Sequence, residues 1–131
     1  VRPGLFDQEL SFFVSGEPVP KGRPRFTKAG GTYTPGATRA WEGHLRVHAY
    51  AQMESCPWRQ ELPGEYGLHV VVRTTKSGKR RGDLDNHVKA VGDALNGILF
   101  DDDSSVSTLL AEFDRAEDGD VGVWVRLWKK Q

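Results

Sequence analysis

Along the chain, apolar positions change period several times, and each change marks an element. ELSFFVSG (9–16) puts Leu10, Phe12 and Val14 on one face, the period of a strand. EPVPKGRPRFTKAGGTYTPG (17–36) has no period and is rich in Pro and Gly, so it reads as a loop long enough to be functional or mobile. ATRAWEGHLRVHAYAQM (37–53) repeats apolar residues at helical spacing, with Ala37, Trp41, Leu45 and His48 or Ala49 on one stripe. A loop with two prolines follows over 54–64, and then EYGLHVVVRTT (65–75), β-branched on both faces, predicts a central strand. KSGKRRG (76–82) is a basic connection.

LDNHVKAVGDALN (84–96) predicts a second helix, with Val88, Val91, Leu95 and, if it runs on, Ile98 along one stripe. Asp85, Lys89, Gly92 and Asp93 fall on the opposite side, and Asn96-Gly97 is a stop signal. SVSTLLAEFDR (105–115) and DVGVWVRLWKK (120–130) flank Asp118-Gly119, which predicts an antiparallel hairpin. In its second arm, Val121, Val123, Val125 and Leu127 share one face, and Trp124, Arg126 and Trp128 the other. The order β-α-β-α-β-β predicts one α/β (α+β) domain over 1–131, a small mixed sheet with two helices packed on it.

Composition fits that expectation. The chain has 131 residues, enough for one domain with a core, and 37% hydrophobic with 27% charged residues reads as soluble and globular. No run of 18 apolar residues supports a membrane span, and VRPGLFDQELSFF lacks the basic-then-apolar pattern of a secretory signal. Cys56 is the one cysteine, which excludes an internal disulfide and makes a reducing cytoplasm the expected location. The formal net charge is zero, but its distribution is uneven. Residues 1–82 carry 13 Lys and Arg against seven Asp and Glu; residues 83–120 carry two against 11. A basic body around one acidic segment suits a phosphate-binding surface beside a metal site.

The acidic segment begins at a helix start, where Asp83 or Asp85 alone would be an ordinary cap. Both together, followed by Asn86, exceed what one cap needs, and two carboxylates at such a turn can share a hard cation such as Mg²⁺ or Mn²⁺. An EF-hand is excluded: counted from Asp83, its sixth position is Val88 and its twelfth Ala94, where Gly and Glu belong. Asp101, Asp102 and Asp103 lie past the other end of the helix. A helix of that length rises about 20 Å. Fully extended, the seven residues from Gly97 to Asp103 span roughly 23–25 Å. A return to the helix start is feasible and would favour the later aspartates; the alternative is a polar turn before a strand. Lys89, four residues after Asp85, is either a surface salt bridge or a cation facing a substrate phosphate. Asp93 reads as a structural partner for Lys89.

RRGDLDNHVKAVGDAL followed by DDDSSV resembles the core of the RusA family of Holliday junction resolvases. There a basic residue or two precedes D-[LI]-D-N, then Lys, D-A-L, and a D-D-[SA] segment before a hydrophobic strand. SFFVSGEPVPKGRPRF is similar to the G-x-P-x-x-K-x-R-P-R opening of phage and prophage members. The resemblance implies a RusA-like fold and a Mg²⁺-dependent (or Mn²⁺-dependent) endodeoxyribonuclease, a homodimer that cuts paired strands of branched, four-way DNA in recombination and repair. Carried over residue by residue, the metal carboxylates fall on Asp83, Asp85 and Asp103, with Asp102 as acidic neighbour, and the catalytic lysine on Lys89. Asp101 departs from the pattern, and leaves the choice between Asp102 and Asp103 open.

In that setting, Lys21, Arg23, Arg25 and Lys28, with Lys76, Lys79, Arg80 and Arg81, are expected to follow DNA backbones by salt-sensitive contacts. Phe26 and Tyr33 are candidates to stack on an unpaired base or to pack within their loop. His44 and His48 lack the Glu of a HExxH site, and Ser104 and Ser105 lack triad partners. Trp41, Trp124 and Trp128 suit core or interface positions. The alternatives are a non-catalytic junction- or DNA-binding protein of the same fold, and a cation-binding module with no DNA role.

Overall fold

The computed structural model describes residues 8–22, 25–26, 32–33, 36–117 and 119–130. In chain order the elements are β1 (Glu9–Ser15), β2 (Arg25–Phe26), β3 (Thr32–Tyr33), α1 (Gly36–Gln52), β4 (Tyr66–Thr74), α2 (Leu84–Leu95), β5 (Val106–Arg115) and β6 (Gly122–Lys129). Single 3₁₀ turns lie at Met53–Ser55, Gly78–Arg81 and Asp103–Ser105. The long segment expected to be a loop contains the short antiparallel pair β2–β3, Arg25 opposite Tyr33 and Phe26 opposite Thr32.

The main sheet has the order β1-β6-β4-β5, and only β4–β5 is parallel. Interior β4 confirms the central placement expected from its β-branched run. The expected hairpin of the last two strands does not form, because β4 lies between them. The reason is burial. β6 hides Val123, Val125, Leu127 and Trp128, so it takes an interior place between β1 and β4. β5 carries Ser107, Thr108, Glu112 and Asp114 in exposed or half-exposed positions, and an edge suits it. The chain between them passes the end of β4, where the Ala116 N–H donates to the Thr74 carbonyl at 3.0 Å.

Registry puts Leu10, Phe12 and Val14 beside Val123, Val125 and Leu127, and these beside Leu68, Val70 and Val72. All nine are buried in one core with Trp41, Leu45 and Ala49 of α1 and Ala90, Val91, Ala94 and Leu95 of α2. Burial of such aliphatic side chains contributes about 1.5–3 kcal/mol each. On α1, Thr38 rather than Ala37 completes the buried stripe. Trp128 lies on the sheet's other face yet is buried, because its indole covers Gly67: a Cβ there would meet the ring at 2.0 Å. Cys56 is buried and its thiol is pushed up by that burial. Among the described residues no helix is long and apolar enough to cross a membrane.

Candidate active site

The site is built where β4 ends and α2 begins. Thr74 closes β4, the Gly78–Arg81 turn follows, and Gly82 then has φ +77°, a conformation that favours glycine. A Cβ at Gly82 would also stand 2.8 Å from Pro20 Cγ. Asp83 occupies the N-cap of α2 with extended backbone, and its carbonyl accepts from the Asn86 and His87 N–H groups at 3.1 and 3.3 Å. Its carboxylate, however, makes no capping hydrogen bond. The ordinary structural use of an aspartate at this position is therefore not made. Asp85, in the first turn, and Lys89, one turn on, are exposed like Asp83, and among the described residues no hydrogen bond or ion pair engages these three side chains. Asp85 and Lys89 do not form the i,i+4 bridge their spacing permits.

Three clefts follow one another along the seam between α2 and β5. The first, of about 710 Å³, holds Asp83 and Asp85 together with Lys79, Arg81 and Phe113. Asp85 also lines the second, with Leu84, Val88, Lys89, Leu109 and Ala111. Lys89 continues into the third, which contains Gly92, Asp103 and Val106. One groove thus connects all four residues of the carboxylate–lysine set, with acidic groups at both ends and an apolar floor between.

The return of the chain stops short of the helix start. Asp103 Cβ lies 3.8 Å from where a Cβ on Gly92 would stand, beside the third turn of α2. Gly92 is seven residues beyond Asp85, about 10 Å along the axis at ~1.5 Å per residue. The extended path assumed from chain length is not taken because residues 97–100 are folded up. Gly97 has φ +75°, its N–H donates to the Phe100 carbonyl at 2.7 Å, and Ile98 and Leu99 both donate to the Leu95 carbonyl. That compact turn buries Ile98, Leu99 and Phe100, and Trp58 Nε1–H caps the Leu99 carbonyl at 2.6 Å. Asp103 also explains why Gly92 is buried on a face expected to be open.

The three consecutive aspartates have different surroundings. Asp101 Oδ1 accepts from the Asp102 N–H at 3.0 Å and the Ser105 hydroxyl at 2.7 Å. Asp102 Oδ2 accepts from the Ser104 hydroxyl and, at 3.2 Å, from its N–H, contacts that hold its carboxyl below the usual carboxylate range. Asp103 has no such partner among the described residues. Two carboxylates build the turn and the third is left uncommitted. Carboxylate oxygens are the donors a hard divalent cation takes. Asp83 and Asp85 share a cleft, with Asp103 two clefts along; no group of three or more His, Cys, Asp or Glu among the described residues is gathered tightly enough to hold an ion.

Of the expected DNA contacts, Lys79 and Arg80 are exposed on the turn above the first cleft. Lys76 is exposed and 3.7 Å from Glu17. The Arg81 guanidinium lies 3.9 Å over the Phe113 ring. Lys21 is engaged internally, 2.8 Å from Glu42 and 3.0 Å from Asp93. Asp93 is therefore the partner of Lys21 and not, as its spacing suggested, of Lys89. Arg23 and Lys28 lie outside the described residues, as do the side chains of Arg25, Phe26 and Tyr33.

His87 and Phe113 were not singled out by the sequence. His87 is buried at 2% exposure, donates from Nε2 to the Arg81 carbonyl, and meets the Phe113 ring edge-on. Burial pushes its imidazole below the ordinary value, so it supports the basic turn as a neutral donor. Only pairing across β4–β5 brings Phe113 to this point, and no local pattern announces it.

A family model described as endodeoxyribonuclease RusA matches residues 15–127, a span that includes every residue of the groove. The chain is also similar to an uncharacterised protein, YqaN, of Bacillus subtilis (strain 168), at 28% identity over 145 residues, covering 89% of this chain and 95% of the relative. With the mixed sheet, its two helices and the carboxylate-lined groove in place, that match over most of its length makes the chain a member of the RusA family of Holliday junction endonucleases.

Proposed function

We propose that the chain is a divalent-metal-dependent endodeoxyribonuclease that resolves four-way DNA junctions by paired cuts, acting as a homodimer in the cytoplasm. The observation that carries the reading is the unused N-cap: Asp83 stands where its carboxylate would cap α2, and leaves it free beside Asp85 and Lys89. Asp83 and Asp85, which line one cleft, are the pair that would hold Mg²⁺ or Mn²⁺; Asp103, two clefts along, is the third carboxylate that the family resemblance implies. When bound, such an ion activates a water and neutralises phosphate charge.

The reaction adds water across one phosphodiester, breaking the bond from phosphorus to the 3′ oxygen and leaving a 5′-phosphate and a 3′-hydroxyl. Lys89 offsets charge on the phosphate as it develops. Lys79, Arg80, Arg81 and Lys76 hold the adjoining backbone by contacts that carry no base information. Neutral His87 keeps the Arg81 turn in place. Edge strand β5 exposes Leu109 and Leu110 by 55 and 53%, and this apolar exposure at a sheet edge supports a second copy of the chain.

The test is cleavage of a synthetic four-way junction and of a linear duplex of the same sequences, with Mg²⁺ and with chelator, by native protein and Asp85→Asn. The proposal requires Mg²⁺-dependent, junction-selective cutting that the variant loses. Junction binding with no metal-dependent nicking would favour the non-catalytic alternative.

A further inference from the structure

Lys21 sits in a basic run that reads as a DNA contact, but its surroundings give it another task. Its ammonium donates to Glu42 of α1 at 2.8 Å and stands 3.0 Å from Asp93 of α2. The Lys21, Glu42 and Asp93 side chains are 24, 12 and 26% exposed. Two carboxylates around one ammonium leave the set at net −1, which repels a phosphate. Partial burial works against the charged amine, but the two carboxylates more than offset it and raise its pKa.

The backbone around Lys21 is stitched as well. Its N–H donates to the Asn86 carbonyl at 2.9 Å; the Gly22 N–H donates to Thr38 Oγ1, which in turn donates to the Pro20 carbonyl, both at 3.3 Å. Upstream, Thr74 Oγ1 donates to Glu17 at 2.9 Å, and Pro20 packs on Gly82. Residues 17–22 therefore form a strap. One end holds the β4 terminus and the glycine before Asp83; the other grips α2 next to Asp85, at Asn86, and again one turn past Lys89, at Asp93.

We propose that Lys21 is a positioning residue that clamps α2 so that Asp85 and Lys89 keep their place relative to the basic turn at 78–81. The kinetic part of this inference rests on the nuclease reading above. The clamp does not. It also separates Lys21 from Lys79 and Arg80, which are exposed and, among the described residues, unpaired, so that their charges remain open to a phosphate.

The experiment compares Lys21→Met, Asp93→Asn, the double variant and Lys21→Arg with native protein. Melting is followed without DNA; kcat, KM and the salt dependence of junction binding are followed with it, well below every melting temperature. The clamp predicts coupled melting losses, with the double variant no less stable than Lys21→Met. Positioning predicts a kcat drop of about ten- to a hundredfold in Lys21→Met. KM should stay within about twofold of native, the salt slope should not change, and Lys21→Arg should recover most of the rate. Additive melting losses would overturn the clamp. Native kcat in Lys21→Met with raised KM and a salt slope smaller by about one would overturn positioning and make Lys21 a phosphate contact. Lowered melting with native kcat would reduce Lys21 to a purely structural part. A native protein that cuts no junction would defeat the nuclease reading instead, while the melting cycle still decides the clamp.

Discussion

Two sets of one lysine with acidic groups meet at helix α2, and they are opposites. Around Lys21, Glu42 and Asp93 every charge has a partner and all three side chains are largely covered. Along Asp83, Asp85, Lys89 and Asp103 the charges are exposed and, among the described residues, unpaired. Residue type and i,i+4 spacing do not separate the two sets: Asp85–Lys89 and Lys89–Asp93 have the same spacing, and neither pairs. What separates them is whether α1 and the 17–22 strap bring a partner. A closed set stabilises the fold, whereas an open one leaves its charge for something that is not part of the chain.

If that distinction holds, substitutions in the open set should cost activity without stability. The largest effect is expected for Asp83→Asn and Asp85→Asn: junction cleavage lower by at least about a hundredfold, with melting unchanged or slightly raised because like charges are removed. Loss of stability comparable to that of Asp93→Asn would place Asp85 in the closed class, and thermal melting beside a cleavage assay reads both.

Next in size is a contrast within the aspartate run. Asp103→Asn should lower cleavage about a hundredfold and leave the turn intact. Asp102→Asn weakens contacts to Ser104 and should act mainly on stability, as a small drop in melting temperature, with activity within about tenfold of native. The reverse pattern would make Asp102 the third carboxylate. Lys89→Gln should follow, with kcat lower by about ten- to a hundredfold, junction affinity little changed and melting unchanged, since it pairs with no described acid.

The fold was largely legible in the chain. Alternation in 9–16, the helical stripe through Trp41, Leu45 and Ala49, and the β-branched run 70–72 are each local signals, and each element formed where its signal placed it. The hairpin was not legible, because Asp118-Gly119 signals a turn but says nothing about which strand lies alongside; burial of β6 against both β1 and β4 decides that. The groove was legible as residue types but not as distances. Chain length permits an extended 97–103, but three buried apolar residues, Ile98, Leu99 and Phe100, shorten it. The strap was illegible, because Lys21 finds Glu42 21 residues away and Asp93 72 residues away, and a basic run looks the same whether its charges are spent or free.

The smallest expected effect tests the far end of the groove. Gly92 lies inside α2, where alanine is favoured by up to about 1 kcal/mol. A Cβ there would meet nothing nearer than Asp103 Cβ at 3.8 Å, an ordinary contact. Gly92→Ala should therefore raise the melting temperature slightly and leave Mg²⁺-dependent cleavage within about twofold. The added methyl lines the same cleft as Lys89 and Asp103, and fills space that is open on the protein side. If cleavage collapses while melting rises, that space is used by the reacting phosphate or by the cation's water, and the groove works along its whole length from Asp83 to Asp103. If cleavage is unchanged, catalysis is concentrated at the Asp83–Lys89 end, and Asp103 acts from its carboxylate alone.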